Sequence, residues 1–435
     1  MTQNKDIRIH VPVLARVEGE GALELDIENG QVANVKLRIF EPPRFFEKFL
    51  EGRDFNEVID IVARICGICP VAYQMSAVHA IERLFAMPVH PTVRALRRVM
   101  YCGEWLESHA LHIHLLAAPD FLGFNNVIEL SSAYPEEVKR GLRLQHLGNS
   151  LIKMLGGRSV HPVGVQVGGF YRIPSRGQCD AMLEELKSAV ADAEQLVTWL
   201  AGLPLPQDEQ EFVSVAVQHP LEYGMNEGNI VSSEGLNIPA KDYSSHFEEI
   251  QVPHSTAFHS HLHGKPYLVG PLARVNLNFD TLHEPVKQLL RDTGIGFPSN
   301  NMFHSIIARA AEMHYALLEA ISLLETIDLD VPPVVTTPKA GVGYACTEAP
   351  RGILWHRYEM DDQGHVLKST IVPPTSQNQA RIEEDLRSAL NGFDLNKPED
   401  DIRLHAETII RNYDPCISCS THFLKLTVNR KCGES

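Results

Sequence analysis

Two short cysteine pairs stand near opposite ends of the chain: Cys66-Gly67-Ile68-Cys69 and Cys416-Ile417-Ser418-Cys419. Together they offer four soft, strongly donating thiolates, a ligand set that suits zinc, an iron–sulfur cluster or another thiophilic metal. If the pairs converge, the fold must bring its two ends together around one site. The second pair carries Asp414 before it and His422 after it, so a carboxylate and an imidazole would arrive with the thiols.

Other residues could do chemistry, but taken singly each has a simpler reading. Glu18, in Arg16-Val17-Glu18-Gly19, and Glu47, in Arg44-Phe45-Phe46-Glu47-Lys48, sit at strand ends, where carboxylates are usually just solvated. Arg351 is held between Pro350 and Gly352, either as a fixed cation or as a surface guanidinium. His109, His112 and His114 have no acid or cysteine at ligand spacing and read as packed or surface histidines. His259, His261 and His263 alternate, with His254 nearby; one strand face could present them to a metal, but a surface patch is the simpler reading.

The elements that must position these groups follow from periodicity. Residues 8–39 alternate as a hairpin about Asn29-Gly30. Arg64 to Cys69 interrupts a helical pattern that resumes over 71–85. Gly67 permits close backbone approach and Pro70 suits a first helical turn, so the first pair lies on a helix-entry loop whose N–H groups can stabilise thiolate. Amphipathic helices are predicted at 91–118, 134–155 and 178–202, the last capped by Ser175. Gly156-Gly157-Arg158-Ser159-Val160-His161-Pro162 reads as a loop, and 204–275 as loops and short strands. Helices return at 281–292 and 301–326. A hairpin follows Gly352, turning at Asp362-Gln363-Gly364 and ending before Thr375, and helices at 377–391 and 398–411 lead to the second pair.

The chain has 435 residues, 44% of them hydrophobic, enough for a large core. A site shared by both ends argues for one interwoven body over residues 1–422. Lys+Arg 39 against Asp+Glu 55 gives a net charge of -16 with no long basic run, which argues against nucleic acid as a partner. No apolar run approaches a membrane span and the first residues do not resemble a signal peptide, so a cytoplasmic protein is expected. Cys102, Cys179, Cys346 and Cys432 are scattered, which reads as metal ligation by the two pairs in a reducing compartment, not as a disulfide scaffold.

Taken together, Arg64-x-Cys66-Gly67-x-Cys69 and Asp414-Pro415-Cys416-x-x-Cys419-x-x-His422 resemble the large subunit of nickel–iron hydrogenases. Arg16-x-Glu18-Gly19, Phe46-Glu47-Lys48, Gly156-Gly157-Arg158-x-x-His161-Pro162 and Glu348-Ala349-Pro350-Arg351-Gly352 resemble further motifs of that family in the same order. The modest length and Gln377-Asn378 resemble its soluble multisubunit branch, coupled to NAD(P) or sulfur. The resemblance implies a mainly α (α+β) fold, a central long-helix bundle with a small N-terminal β element. It implies reversible cleavage of hydrogen to protons and electrons.

It also implies roles. Cys66 and Cys416 would be terminal nickel ligands, and Cys69 and Cys419 would bridge nickel to an iron bearing one carbon monoxide and two cyanides. Cys416 would take the first proton and Glu18 would pass it outward. Arg351 would hydrogen-bond one cyanide and be oriented by Asp414, and Thr375 would bond the other cyanide. Glu47, His422 and a carbonyl near Thr370 would hold a magnesium ion. Electrons would leave to an iron–sulfur small subunit, near Arg158 and His161, and onward to a flavin subunit meeting NAD(P). A maturation endopeptidase would remove residues 423–435.

Two departures stand out: Tyr73 occupies the position of a family histidine that bonds a cysteine sulfur, and Ser108 that of an acid near the metals. The rivals are a hydrogen sensor with the same site, the related quinone-site subunit of respiratory complex I, which lacks the nickel cysteines, and a binding protein with a four-cysteine structural zinc.

Overall fold

A computed structural model describes residues 6–421. Strands β1 (Ile7–Val11), β2 (Gly21–Glu28) and β3 (Gln31–Ile39) pair antiparallel in that order. The hairpin read from sequence is β2–β3, turning through Asn29 and Gly30 with φ of 54° and 75°, and β1 adds a third strand. Short helices α1 (Phe46–Leu50) and α2 (Phe55–Val62) follow, α2 opened by a reciprocal Asp54–Glu57 capping box. The chain breaks across the first cysteine pair and re-enters helix at α3 (Pro70–Phe85), with Pro70 in the first turn, where its missing N–H is harmless.

The predicted 91–118 helix is α4 (Pro91–Leu111), widened into a π-helical turn (His112–Ala117) and followed by α5 (Ala118–Leu122). Next come α6 (Val127–Ala133) and α7 (Pro135–Gly156), then a minimal hairpin of β4 (Val165–Gln166) and β5 (Gly169–Phe170). Helix α8 (Arg176–Ala201) starts at its Ser175–Gln178 capping box. The irregular region holds a sheet of β6 (Val215–Gln218), β7 (Asn229–Ser232) and β8 (Asn237–Ile238), and a pair, β9 (Phe247–Gln251) and β10 (Phe258–Leu262). Helices α9 (Pro271–Asn278), α10 (Glu284–Asp292) and α11 (Ser305–Thr326) precede a meander of β11 (Gly341–Ala349), β12 (Gly352–Met360) and β13 (Val366–Val372). Helices α12 (Pro374–Asn391) and α13 (Glu399–Asn412) lead to the second cysteine pair.

Helix α4 packs on α7 and α11, and α8 on α11 and α7. Gly103 and Gly148 make the α4–α7 approach possible: a Cβ on Gly148 would lie 2.5 Å from the Gly103 carbonyl oxygen. The protein is about 49% helical and 19% strand, a mixed α/β fold in which helix predominates. The strands of 215–269 and 341–372 build a separate apolar core, with Val215, Tyr267 and Trp355 at its centre. A correction concerns the Arg351 motif: Thr347, Glu348 and Ala349 end β11, and Arg351 sits in the tight turn into β12. The N-terminal sheet packs its buried Leu23, Leu25 and Leu37 with Leu386 and Leu390 of α12 and Ile402 and Ile409 of α13. That packing brings the two ends of the chain together.

Candidate metal centre

The two cysteine pairs do converge. Cys66 Sγ lies 3.5 Å from Cys416 Sγ, Cys69 Sγ 3.6 Å from Cys419 Sγ, and Cys416 Sγ 2.8 Å from Cys419 Sγ. All four are buried, with their sulfurs within 4.8 Å of one another. The entry loop of α3 aims the N–H groups of Ile68 and Cys69 at Cys66 Sγ, at 3.3 and 3.2 Å. Burial opposes charge on Cys66, but S–H donation from Cys416, Cys419 and Cys69 and the charge of Arg351 bring it well below its usual range. Cys416 is held well above its range by hydrogen bonding with Cys419, Cys66 and Cys69, and then by burial. One thiolate is thus stabilised by the protein alone, and burial pushes Cys419 up as well. A compact, buried set of soft donors in which further thiols wait on added positive charge fits a thiophilic multivalent metal centre.

Each loop is pinned by backbone bonds. Cys416 N–H donates to Thr375 Oγ1 at 3.1 Å from the first turn of α12. Ile417 N–H donates to the Glu18 carbonyl at 3.0 Å, and Ser418 N–H to Glu18 Oε2 at 3.1 Å. Glu18, read from sequence as a solvated acid unless the family role applied, therefore braces the second pair while staying half-buried.

Arg351 lies beside the thiols. Its Nε donates to the Asp414 carbonyl at 2.9 Å and its Nη2 to Asp414 Oδ1 at 3.1 Å, while Nη1 is buried with no hydrogen-bond partner among the described residues. Burial disfavours its charge, yet Asp414 and the Cys416, Cys69 and Cys66 sulfurs hold its pKa well above the usual value. Asp414 adopts φ 57° and also faces Arg309 at 3.5 Å. A non-glycine residue in that region is strained, and here the strain turns both its carbonyl and its carboxylate toward Arg351.

The turn carrying Arg351 is itself built from behind. Arg274, fully buried, donates to both Glu312 oxygens at 2.7 and 2.8 Å, to Glu348 Oε2 at 2.8 Å, and to the carbonyls of Ala349 and Pro350 at 2.7 and 2.8 Å. Burial raises Glu348 to about 7, whereas Arg274 and His109 outweigh burial at Glu312 and bring it down to about 2. His109 bonds Glu312 at 2.9 Å and His112 Nε2 donates to the Arg411 carbonyl at 2.8 Å, so these histidines are buried and packed, as the simpler sequence reading had it.

The departure residues find places too. Tyr73 is buried one turn beyond Cys69, where burial and then the Cys419 and Cys69 charges push its phenol well above its usual range. Ser108 is buried, but its neighbour Glu107 supplies an acid: burial raises it to about 8, with Arg351, Cys66 and Asp414 acting on its charge. Two braces and one acid were missed from sequence. Arg44 Nη2 donates to the Ile65 carbonyl at 2.6 Å and also to the Ser418 carbonyl, tying the two cysteine loops together. Glu104 accepts Val71 N–H at 2.6 Å and Ala72 N–H at 3.0 Å, fixing the first turn of α3. Glu107 was hidden by its neighbour's position in the motif. None has a local signal, since each partner is distant in sequence.

Glu47 Oε1 accepts Ile371 N–H at 2.7 Å, and Ser369 Oγ donates to the Glu47 carbonyl at 3.0 Å, so Glu47 lies alongside Thr370 on β13. Burial holds this carboxyl up at about 7, as expected where a cation would compensate it. Thr421 O accepts Arg44 N–H at 2.6 Å, which brings the chain to the threshold of His422. His422, Cys432 and the 423–435 extension lie outside the described residues.

His161 Nδ1 donates to the Ala63 carbonyl at 2.8 Å, supporting the chain just before Arg64, and its own carbonyl accepts Arg158 Nε at 2.6 Å. Val160, Val163 and Tyr171 are exposed around them. The alternating histidines part company: His263 pairs with His246 at 2.9 Å, His261 stands opposite Glu248 on β9, and buried His259 meets His254 and Glu383.

Comparison with known proteins agrees with this geometry. Residues 44–141 and 240–422 match the family model "Nickel-dependent hydrogenase". The chain is 34% identical to sulfhydrogenase 1 subunit alpha of Pyrococcus furiosus over 98% of its length and 100% of the relative's. It is 28% identical to the beta subunit of the NAD-reducing hydrogenase HoxS of Cupriavidus necator, over 96% and 95% of the two chains. Among solved structures, an NAD+-reducing [NiFe]-hydrogenase in the H2-reduced state superposes with a TM-score of 0.84 at 26% identity, over 96% of this chain and 99% of that one. On the family match and the 34% identity over nearly the whole chain, this protein belongs to the nickel-dependent hydrogenases, oxidoreductases acting on H2.

Proposed function

We propose that this chain is the catalytic subunit of a multisubunit hydrogenase that exchanges electrons between H2 and NAD(P) or sulfur through an iron–sulfur small subunit. The observation that carries the reading is the buried four-thiol cluster with the unpartnered Arg351 Nη1–H beside it. Cys66 and Cys416 would hold nickel, and Cys69 and Cys419 would bridge it to an iron carrying one carbon monoxide and two cyanides. When bound, that centre supplies heterolytic cleavage of hydrogen.

The protein's own groups account for the rest. Cys416 Sγ would be the first proton acceptor, as the thiolate nearest to Glu18 along the chain pairing. Glu18, which pairs with Cys416 through its backbone and accepts Ser418 N–H, carries the proton onward; being half-buried, it spans cluster and surface. Arg351 Nη1–H, buried without a partner among the described residues, and the Thr375 hydroxyl, whose oxygen already accepts Cys416 N–H, would be the donors to the two cyanides of that centre. Asp414 fixes Arg351. Glu47, the chain at Thr370 and His422 would hold a magnesium ion whose work would be structural.

Arg158, His161 and the exposed Val160, Val163 and Tyr171 form the face for the small subunit, beside the first cysteine loop. A flavin subunit meeting NAD(P), or iron–sulfur carriers, completes the assembly. Residues 1–422 form one catalytic body, and a maturation endopeptidase removes 423–435. Among the described residues no helix is long and apolar enough to cross a membrane, which supports a cytoplasmic assembly.

Infrared spectra of the purified complex with metal analysis test the centre; a nickel-replete sample without cyanide and carbonyl bands would sink the assignment. Glu18→Gln should abolish proton exchange with H2 while nickel and the infrared bands persist. Undiminished exchange removes Glu18 from the path.

A further inference from the structure

Away from the cysteines, three segments bring one ligand each to a second site: His254 from the β9–β10 loop, His259 from β10 and Glu383 from α12. One ligand atom from each lies within 4.8 Å of the others. His254 Nε2 and Glu383 Oε1 are 2.8 Å apart, and Leu37 N–H of β3 donates to the same Oε1 at 2.8 Å; Glu383 Oε2 takes part in neither bond. His259 is only 4% exposed, and its Nε2 is buried with no hydrogen-bond partner among the described residues. An imidazole nitrogen buried without a partner is costly, and the usual resolution is a hydrogen bond or a metal. The rings of His254 and His259 meet edge to face, 5.6 Å between centroids.

From this arrangement we infer that His254, His259 and Glu383 form a binding site for a borderline divalent transition cation, zinc foremost. Two imidazoles and one carboxylate are poor ligands for magnesium or calcium, which prefer oxygen throughout, and good ones for zinc. His254 and Glu383 keep 20% and 17% of their side chains exposed, which leaves an entry path and room for water as fourth ligand. Binding needs little movement: metal bonds of about 2.0–2.1 Å in a tetrahedron set ligand atoms about 3.3–3.4 Å apart, so the His254–Glu383 contact opens slightly. His261, half-buried opposite Glu248, stays outside the cluster.

The site clips the β9–β10 pair and β3 to the middle of α12. The first turn of that helix carries Thr375, which holds Cys416 N–H, and Glu383 lies eight residues on, about 12 Å along the axis. A metal here would stiffen the helix that supports the catalytic cysteine loop without touching that loop.

The test uses the mature, nickel-replete complex, so that the cysteines are already occupied, titrated calorimetrically with Zn2+ beside His259→Gln and Glu383→Gln. The glutamine at 383 keeps an acceptor for Leu37 N–H while losing the charge, so its folding is protected. The wild type should bind one more zinc per chain than either variant, or bind it at least tenfold more tightly, with nickel content equal in all three. Equal zinc stoichiometry and affinity in wild type and both variants would overturn the site.

Discussion

Replacing Arg274 tests whether the placement of Arg351 is inherited from a buried ion network that touches no substrate. Arg274, Glu312 and Glu348 are all fully buried, and Arg274 also lies 4.5 Å from the Trp105 ring centroid. Arg274→Met would take the buried counter-charge from Glu312 and Glu348, leaving them only Tyr223, His109 and Val217 N–H, and would remove the donor to two carbonyls. Breaking a buried pair costs about 3–5 kcal/mol and each orphaned carbonyl about 1–3 kcal/mol. The sum rivals the whole stability of a typical domain, about 5–15 kcal/mol, so that variant should not accumulate folded. Arg274→Lys is the informative change. It keeps a charge but cannot serve Glu312 bidentately and reach Glu348, Ala349 and Pro350 together, a loss of about 2–4 kcal/mol. The urea midpoint should fall, and proton exchange with H2 per nickel should drop about tenfold or more, since about 1.4 kcal/mol of lost charge placement is a factor of ten. Arg97→Lys is the control: Arg97 is likewise buried, and its bidentate pair with Glu82, at 2.8 and 2.6 Å, shares no residue with the Arg274 network. It should lower stability while leaving exchange per nickel alone. If Arg274→Lys lowers stability with exchange per nickel unchanged, the positioning argument is refuted; if it leaves both unchanged, the network argument goes with it.

Three further outcomes are expected. Thr375→Val strands the buried Cys416 N–H at a cost of about 1–3 kcal/mol, read as a lower unfolding midpoint that Thr375→Ser restores. Arg44→Met unties Ile65 from Ser418, two charge-assisted bonds of about 1.5–3 kcal/mol each, and should speed nickel loss to a chelator; an unchanged rate argues against the clamp. Asp385 is pushed up to about 7 by burial and then by Asp208, against Arg381 and the hydrogen bonds of Tyr413 and Gln210. Because its folded pKa is raised, the folded state holds the extra proton, so this stabilisation is full below about 4 and lost as pH rises toward 7. Asp385→Asn should therefore gain stability relative to wild type between pH 5 and 8, by a few kcal/mol at most, on the order of 1.4 kcal/mol per pKa unit. A difference independent of pH would contradict the burial argument.

What could be seen in the sequence was what is local. Ser175, Pro70 and Asn29-Gly30 mark element ends because capping, ring geometry and left-handed turns act within a few residues. The cysteine pairs were legible because a metal demands residue types as well as positions. Strand β11 was not, because its second half is covered on both faces: Ala345 to Ala349 are all buried, so no alternation survives to report a strand. Arg274, Glu104 and Arg44 were silent for a different reason. Their partners come from elsewhere in the chain, and a buried charge looks like a surface charge until the fold supplies its counterpart.

The histidines show the same limit from the other side. Alternation put His259, His261 and His263 on one strand face and favoured a surface patch; β10 holds only the first two, His259 is buried, and the fold pairs each with something else: Glu383 and His254, the Glu248 position, and His246. Burial decides which of the three matters, since only His259 is fully enclosed with a ring nitrogen unpartnered. Among the described residues, the four-cysteine cluster and the His254–His259–Glu383 cluster thus follow one rule: α12 and the segments it packs against bring together ligands that the sequence keeps far apart. At its first turn that helix steadies Cys416 through Thr375, and two turns later it offers Glu383. A change that tilts α12 should therefore disturb both sites at once, whereas a change confined to either ligand set should disturb one.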